Sequence, residues 1–242
     1  MYEERFYRER HKSKDLHNYQ IMINESDLSI SSDVDVTREA EKALIDIRKR
    51  IEKACDEIEG FKDSLSPINK VSGDPIINNM INASRKAYVG PMASVAGTVS
   101  EYVVKEVINT SKANQIIVEN GGDIYMHSKT DRKILVYAGA SPFSNKIGIR
   151  IPKAMMPIGI CTSAGTFGHS LSFGKADAAL VLSKDTALAD AAATSLGNIV
   201  KSPQDIKTAI DFGKSIDGIL GILIIIGDKL GVWGDIEIFK AE

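Results

Sequence analysis

Three short tracts of this chain combine glycine, hydroxyl and carboxylate groups in patterns that suit phosphate chemistry. They are Asn120-Gly121-Gly122-Asp123, Cys161-Thr162-Ser163-Ala164-Gly165-Thr166 and Asp190-Ala191-Ala192-Ala193-Thr194. Glycines let main-chain amides approach an anion, and hydroxyls add donors. An Asp with a Thr four residues later sets two hard oxygens on one helix face, where they suit Mg2+, an ion that keeps positions open for phosphate oxygens or water. The pattern predicts a site for a phosphorylated ligand held by a divalent cation. Asp190 and Thr194 are its metal ligands, and Gly121, Gly122, Asp123, Thr162, Ser163 and Gly165 lie along the ligand.

Each tract also has a plainer reading. Asp190 facing solvent, with Thr194 bonding its own backbone, fits the same spacing. The paired glycines fit an ordinary hairpin turn. Cys161 stands beside hydroxyls with His169 eight residues on, which are the parts of a thiol-activation site, so both are candidate catalytic residues. Thiolate activation needs a cationic or helix-end environment, and a partly buried inert cysteine and a satisfied loop histidine are the alternatives.

The elements that must position these residues follow from periodicity. The stretch through Asp33 alternates at Tyr19, Ile21, Ile23, Leu28 and Ile30 and predicts two short strands. Leu44, Ile47, Ile51, Ala54 and Ile58 recur every three or four residues, predicting an amphipathic helix over residues 37–58 with a solvated charged face. Asp74-Pro75 has the composition of a helix start, a carboxylate cap followed by proline, and Gly90-Pro91 ends that helix. The small residues 92–99 lead into a third helix reaching about Ile108. Strands are predicted over residues 115–119, 124–127, 134–138, 147–151 and 178–182, separated by Gly, Pro, Asn and Asp turns. Residues 161–166 read as a loop. Asp185 caps a helix through Val200, another begins at Pro203, and the tail reads as a hairpin of residues 219–226 with 236–239. These elements predict a single α+β domain over residues 1–242, built from hairpin-rich mixed sheets packed with helices.

The totals narrow the partners. With 242 residues, 43% of them hydrophobic, the chain is long enough for a substantial core. Thirty basic against thirty-two acidic residues give a formal charge of -2, which does not suit nucleic acid. The two cysteines, Cys55 and Cys161, form no CxxC pair and fit a reducing cytoplasm. The charged start and the shortness of the apolar run 219–226 point away from export and membrane insertion. That run and the small-residue helix are candidate surfaces for a homodimer.

Together, Asn120 to Asp123, the Thr-Ser tract at 161–166 and especially Leu188-Ala189-Asp190-Ala191-Ala192-Ala193-Thr194 resemble the ApbE superfamily of flavin transferases, over roughly residues 85 to 200. The chain looks most like a shorter branch of archaea and some bacteria. Gly90-Pro91-Met92-Ala93 and the run from Gly168 through His169 to Ala178 are typical of that branch. The resemblance implies an α+β fold, FAD bound with Mg2+ through Asp190 and Thr194, and transfer of the FMN half to a hydroxyl of a partner protein. Two family segments, His-x-x-Asp-Pro-x-Thr-Gly and Lys-Gly-x-x-x-Asp-Arg, have no counterpart here. Two alternatives therefore stand beside flavinyl transfer. One, implied by the resemblance to that shorter branch, is a role in sulfide assimilation toward homocysteine, with Cys161 handling sulfur for a pathway partner. The other is a non-catalytic ligand-binding homologue.

Overall fold

The computed structural model describes residues 15–165 and 173–241. Its strands are β1 (His17–Ile23), β2 (Ser26–Ser32), β3 (Ile116–Asn120), β4 (Asp123–His127), β5 (Arg132–Leu135), β6 (Ile147–Ile151), β7 (Ile158–Ser163), β8 (Ala178–Ser183), β9 (Ile219–Ile226), β10 (Lys229–Gly234) and β11 (Glu237–Lys240). Its helices are α1 (Thr37–Glu57), α2 (Pro75–Ala87), α3 (Val95–Thr110), α4 (Thr186–Ile199) and α5 (Ile206–Lys214). Eight strands form one sheet in the order β1-β2-β3-β4-β7-β8-β9-β10, and β11-β6-β5 form a second. Every described pairing is antiparallel. This is the expected α+β architecture.

Strand alternation divides the core into layers, because successive side chains point to opposite faces. Ile124 and Met126 of β4, Ile158 and Ile160 of β7, and Leu180 and Leu182 of β8 pack toward Ile134, Ile149 and Ile151 of the small sheet. On the opposite face, Val118 and Tyr125 meet Leu44 and Ile47 of α1 and Val103 of α3. Cys161, Ala179 and Val181 meet the alanines of α4. The large sheet thus lies between a helical layer and the small sheet.

The helices begin where their sequences direct. Asp74 accepts from the amides of Ile76 and Ile77 at the start of α2, and its carboxylate is gripped by Arg50 of α1 through Nε and Nη2, both at 2.7 Å. Asp185 accepts from the amide of Leu188 at the start of α4. On α1, Leu44, Ile47, Ile51 and Ala54 are buried as the stripe predicts.

Two expectations change. Residues 161–163 are the end of β7, a central strand, not a loop. The tail is not a hairpin of 219–226 with 236–239: β9 pairs with β10, and β11 crosses to pair with β6 of the small sheet. The run 219–226 suggested as a dimer surface is β9, whose two edges pair with β8 and β10 within the sheet.

Candidate functional site: a buried acid pair where two helices meet the glycine bend

The hairpin joining β3 to β4 brings the first tract into place. Asn120 and Asp123 pair across the turn, and Gly121 and Gly122 have φ of 67° and 101°, values that L side chains rarely adopt. The bend rests on the first two turns of α3: the Ser100 hydroxyl donates to the Asp123 carbonyl, and the Asn120 side-chain amide reaches the Ala96 carbonyl. The Gly122 amide, expected to face an anion, donates to Glu119 Oε1 at 2.7 Å.

The helix α3 lacks a side-chain cap of its own at Ser94. Asp190 supplies one from α4, where its Oδ2 accepts from the Gly97 amide at 2.9 Å. The approach depends on glycine: a Cβ at 97 would lie 2.6 Å from the Thr186 carbonyl oxygen and 2.9 Å from the Asp190 Cβ. One turn further along α3, Glu101 Oε2 accepts from the Thr186 amide at 2.7 Å. The two helices run antiparallel and each satisfies an orphan amide at the other's start.

Asp123 and Cys161 complete the cluster. Asp123 shares the helix-facing side of β4 with Tyr125, is buried, and accepts from the Thr162 amide at 3.2 Å through Oδ1. Cys161 is fully buried, donates to the Thr186 carbonyl oxygen at 3.6 Å and lies within hydrogen-bonding reach of Asp123. Thr162 contributes its backbone, because its side chain faces the opposite layer along with Ile160. Ser163 faces α4, 3.3 Å from where a Gly197 Cβ would sit. Thr194 is half-buried, one turn after Asp190. Gly165 lies beyond β7, where a side chain would run into the Gly174 backbone. His169 is outside the described residues.

The electrostatics are unusual. Burial pushes the Asp123 carboxyl well above the usual carboxylate range, and the charge of Asp190 adds to the effect. Burial raises Asp190 to about 7 against the opposing pull of the Gly97 and Ala96 amides. Burial, then the charges of Asp123 and Asp190, push the Cys161 thiol well up. Cys161 is therefore held as S–H, the reverse of an activated nucleophile. Among the described residues no Lys or Arg forms an ion pair with either carboxyl, and no three His, Cys, Asp or Glu side chains are arranged to hold a metal ion. A cation here would take the two carboxylates with hydroxyl, ligand and water oxygens completing its shell, an oxygen set that fits Mg2+.

Sequence reasoning found Asp123, Asp190 and the glycine bend but not Gly97 or Glu101. Their only sequence signal is that positions 97 and 101 repeat the four-residue spacing of 186 and 190.

The layered α+β arrangement is that of solved flavin transferases. The apo flavinyl transferase ApbE of Pseudomonas stutzeri matches with a TM-score of 0.59 at 11% identity, covering 90% of this chain and 93% of that one. The flavin transferase ApbE of Vibrio cholerae matches with a TM-score of 0.56 at 12% identity, covering 93% and 96%. At such identities the likeness establishes the fold. The chain belongs to the family described as AbpE bacteria, which matches residues 8–231. Its relatives include a UPF0280 protein of Methanococcus aeolicus, 41% identical over 225 residues and 89% of each chain. Another, from Archaeoglobus fulgidus, is 41% identical over 201 residues, 81% of this chain and 82% of its own length. Among the described residues no helix is long and apolar enough to cross a membrane.

Proposed function

We propose that the chain, one ApbE-like domain over residues 1–242, binds FAD or a related phosphorylated ligand with Mg2+ and transfers the flavinyl group to a hydroxyl of a partner protein. The observation that carries this reading is the buried pair Asp123 and Asp190, which no Lys or Arg among the described residues offsets by an ion pair. Bound by Asp190, Thr194 and Asp123, the cation would neutralise a pyrophosphate and the charge developing on departing AMP. The bond formed joins the acceptor oxygen to the flavin-side phosphorus, the bond broken links that phosphorus to the oxygen that leaves with AMP, and the hydroxyl proton passes to water.

The residues of the chain set the stage for that exchange. The positive φ values of Gly121 and Gly122 shape the bend that holds Asp123 against α3. The Thr162 amide orients the Asp123 carboxylate, and the Gly97 amide orients that of Asp190. The Gly122 amide, expected to meet an anion, donates to Glu119 here, so an entering phosphate would compete with a carboxylate already in place. The sulfur-handling alternative asks for an accessible thiolate, and Cys161 has neither exposure nor a lowered pKa.

Calorimetry with FAD and Mg2+, followed by chromatography for AMP in the presence of a hydroxyl-bearing acceptor peptide, tests the reading. Binding with AMP release that Asp190→Ala abolishes is expected. Absence of both in the unaltered protein removes the proposal, and binding without turnover leaves a non-catalytic ligand-binding homologue.

A further inference from the structure

We propose that Glu101 is a positioning residue for the Asp190 carboxylate, acting through the first amide of α4. The inference deepens the cation-site reading above and rests on it. Four contacts converge on Thr186. Its amide is held by Glu101 Oε2 at 2.7 Å, and its carbonyl oxygen receives the Cys161 thiol at 3.6 Å. That same carbonyl would stand 2.6 Å from a Cβ at Gly97, and its hydroxyl lies 2.5 Å from where a Gly159 Cβ would be. The Thr186 hydroxyl is buried without a hydrogen-bond partner among the described residues, so the side chain acts as a packed wedge rather than a tether.

The polar tie between the starts of the two helices therefore falls to backbone amides. Gly97 with Asp190 forms one rung, and Thr186 with Glu101 forms the other, each pair of positions separated by one helical turn. Releasing the Glu101 rung leaves Gly97 with Asp190 as the remaining polar tie between the two helix starts, so the first turn of α4 is held against α3 by packing and one amide. A carboxylate that reaches both the Gly97 amide and the neighbourhood of Asp123 tolerates little movement of that turn. Glu101 itself does not touch the Asp123 and Asp190 carboxyls in any described hydrogen bond, which separates its role from that of a ligand.

Two variants test this with Mg2+ as the only probe. Glu101→Gln keeps an oxygen acceptor for the Thr186 amide, and Glu101→Ala removes it. By calorimetry, the alanine variant is expected to bind Mg2+ about 10- to 100-fold more weakly and the glutamine variant within about threefold of the unaltered protein. Equal affinity in the alanine variant overturns the inference, as does a glutamine variant as weak as the alanine one, since charge rather than the amide contact would then be at work. A second readout needs no metal: exchange of the Gly97 amide proton, measured by NMR in chelator. It should quicken at least about tenfold in the alanine variant while the amides of Val103 and Val104 keep their rates, and stay slow in the glutamine variant. An unchanged Gly97 rate in the alanine variant overturns the inference. If that variant fails to fold, a fast Gly97 amide in the glutamine variant overturns it and a slow one supports it. If the unaltered protein fails to bind Mg2+, the cation reading falls, and the Gly97 exchange rates alone decide whether Glu101 positions Asp190.

Discussion

Replacing Asp190 by asparagine separates the cost of its buried charge from its role as a cap. Asparagine caps helices as well as aspartate does and keeps an oxygen for the Gly97 amide, now without a charge. For a carboxyl that moves from 3.8 to about 7 on folding, the folded state holds the extra proton across that window. Stability is therefore full below the lower value, falls as pH rises through the window and levels off above it. Between about pH 5 and about pH 8 this loss comes to roughly 2–3 kcal/mol, at about 1.4 kcal/mol per tenfold in proton affinity. The asparagine protein lacks that slope. It also frees Asp123 of a neighbouring charge, which works in the same direction. At about pH 8 the whole shift, roughly 4 kcal/mol, weighs against the charged form; after allowing about 1–2 kcal/mol for the weaker hydrogen bond, the variant is expected to be about 2–3 kcal/mol more stable than the unaltered protein there. The assay is urea unfolding in chelator, followed by circular dichroism at both pH values with the denaturant slopes compared. Mg2+ at about 100 times its dissociation constant should then add about 2.7 kcal/mol to the unaltered protein and little to the variant. Equal pH slopes in the two proteins, or a less stable variant at the higher pH, refute the argument that this charge is buried uncompensated.

Other substitutions report on the geometry around the pair. Gly97→Ala puts a methyl 2.6 Å from the Thr186 carbonyl oxygen and should lower stability by about 1–3 kcal/mol in thermal unfolding while weakening Mg2+ binding. Gly122→Ala, at φ 101°, is expected to cost about 1–2 kcal/mol by the same measurement. Cys161 should resist alkylation in the native protein and react readily once denaturant is added, as mass spectrometry would show; rapid native labelling would contradict its burial.

Much of the helical layer was legible because its signals are local. The stripe at Leu44, Ile47, Ile51 and Ala54 gave α1, and Asp74-Pro75 and Asp185 marked helix starts by the capping their side chains perform. Strand β7 was hidden for the opposite reason. Its position between β4 and β8 buries both faces, so Ile158-Gly159-Ile160-Cys161-Thr162-Ser163 has no hydrophobic alternation to read. Strand β10 was missed because Gly231 and Gly234 look like turn residues. At Gly231 glycine instead makes room for Ile206 and Ile210 of the helix packed above. The candidate site divides along the same line. Asp190 and the glycine bend carry their own motifs, whereas the hydrogen bond from the Thr186 amide to Glu101 spans 85 residues of sequence and exists only once both helices are in place.

The energetics of the acid pair tie this fold to a ligand. A carboxylate at a helix N-terminus gains about 0.3–1 kcal/mol, and up to about 2 in a partly buried setting. At the start of α3 the Gly97 and Ala96 amides already exert that pull, and Asp190 still rises from 3.8 to about 7, which leaves roughly 4 kcal/mol of uncompensated burial. Asp123 is buried in the same cluster and is raised by that neighbour's charge, so its own cost adds to the remainder. Two agents can meet it: a proton on one carboxyl, favoured as pH falls, or a cation, favoured as pH rises and both acids ionise. The same Asp190 oxygen that fastens α4 to α3 thus belongs to a group the protein alone leaves under-compensated near neutral pH. Mg2+ should therefore bind with release of protons, and its affinity should rise with pH through about 7.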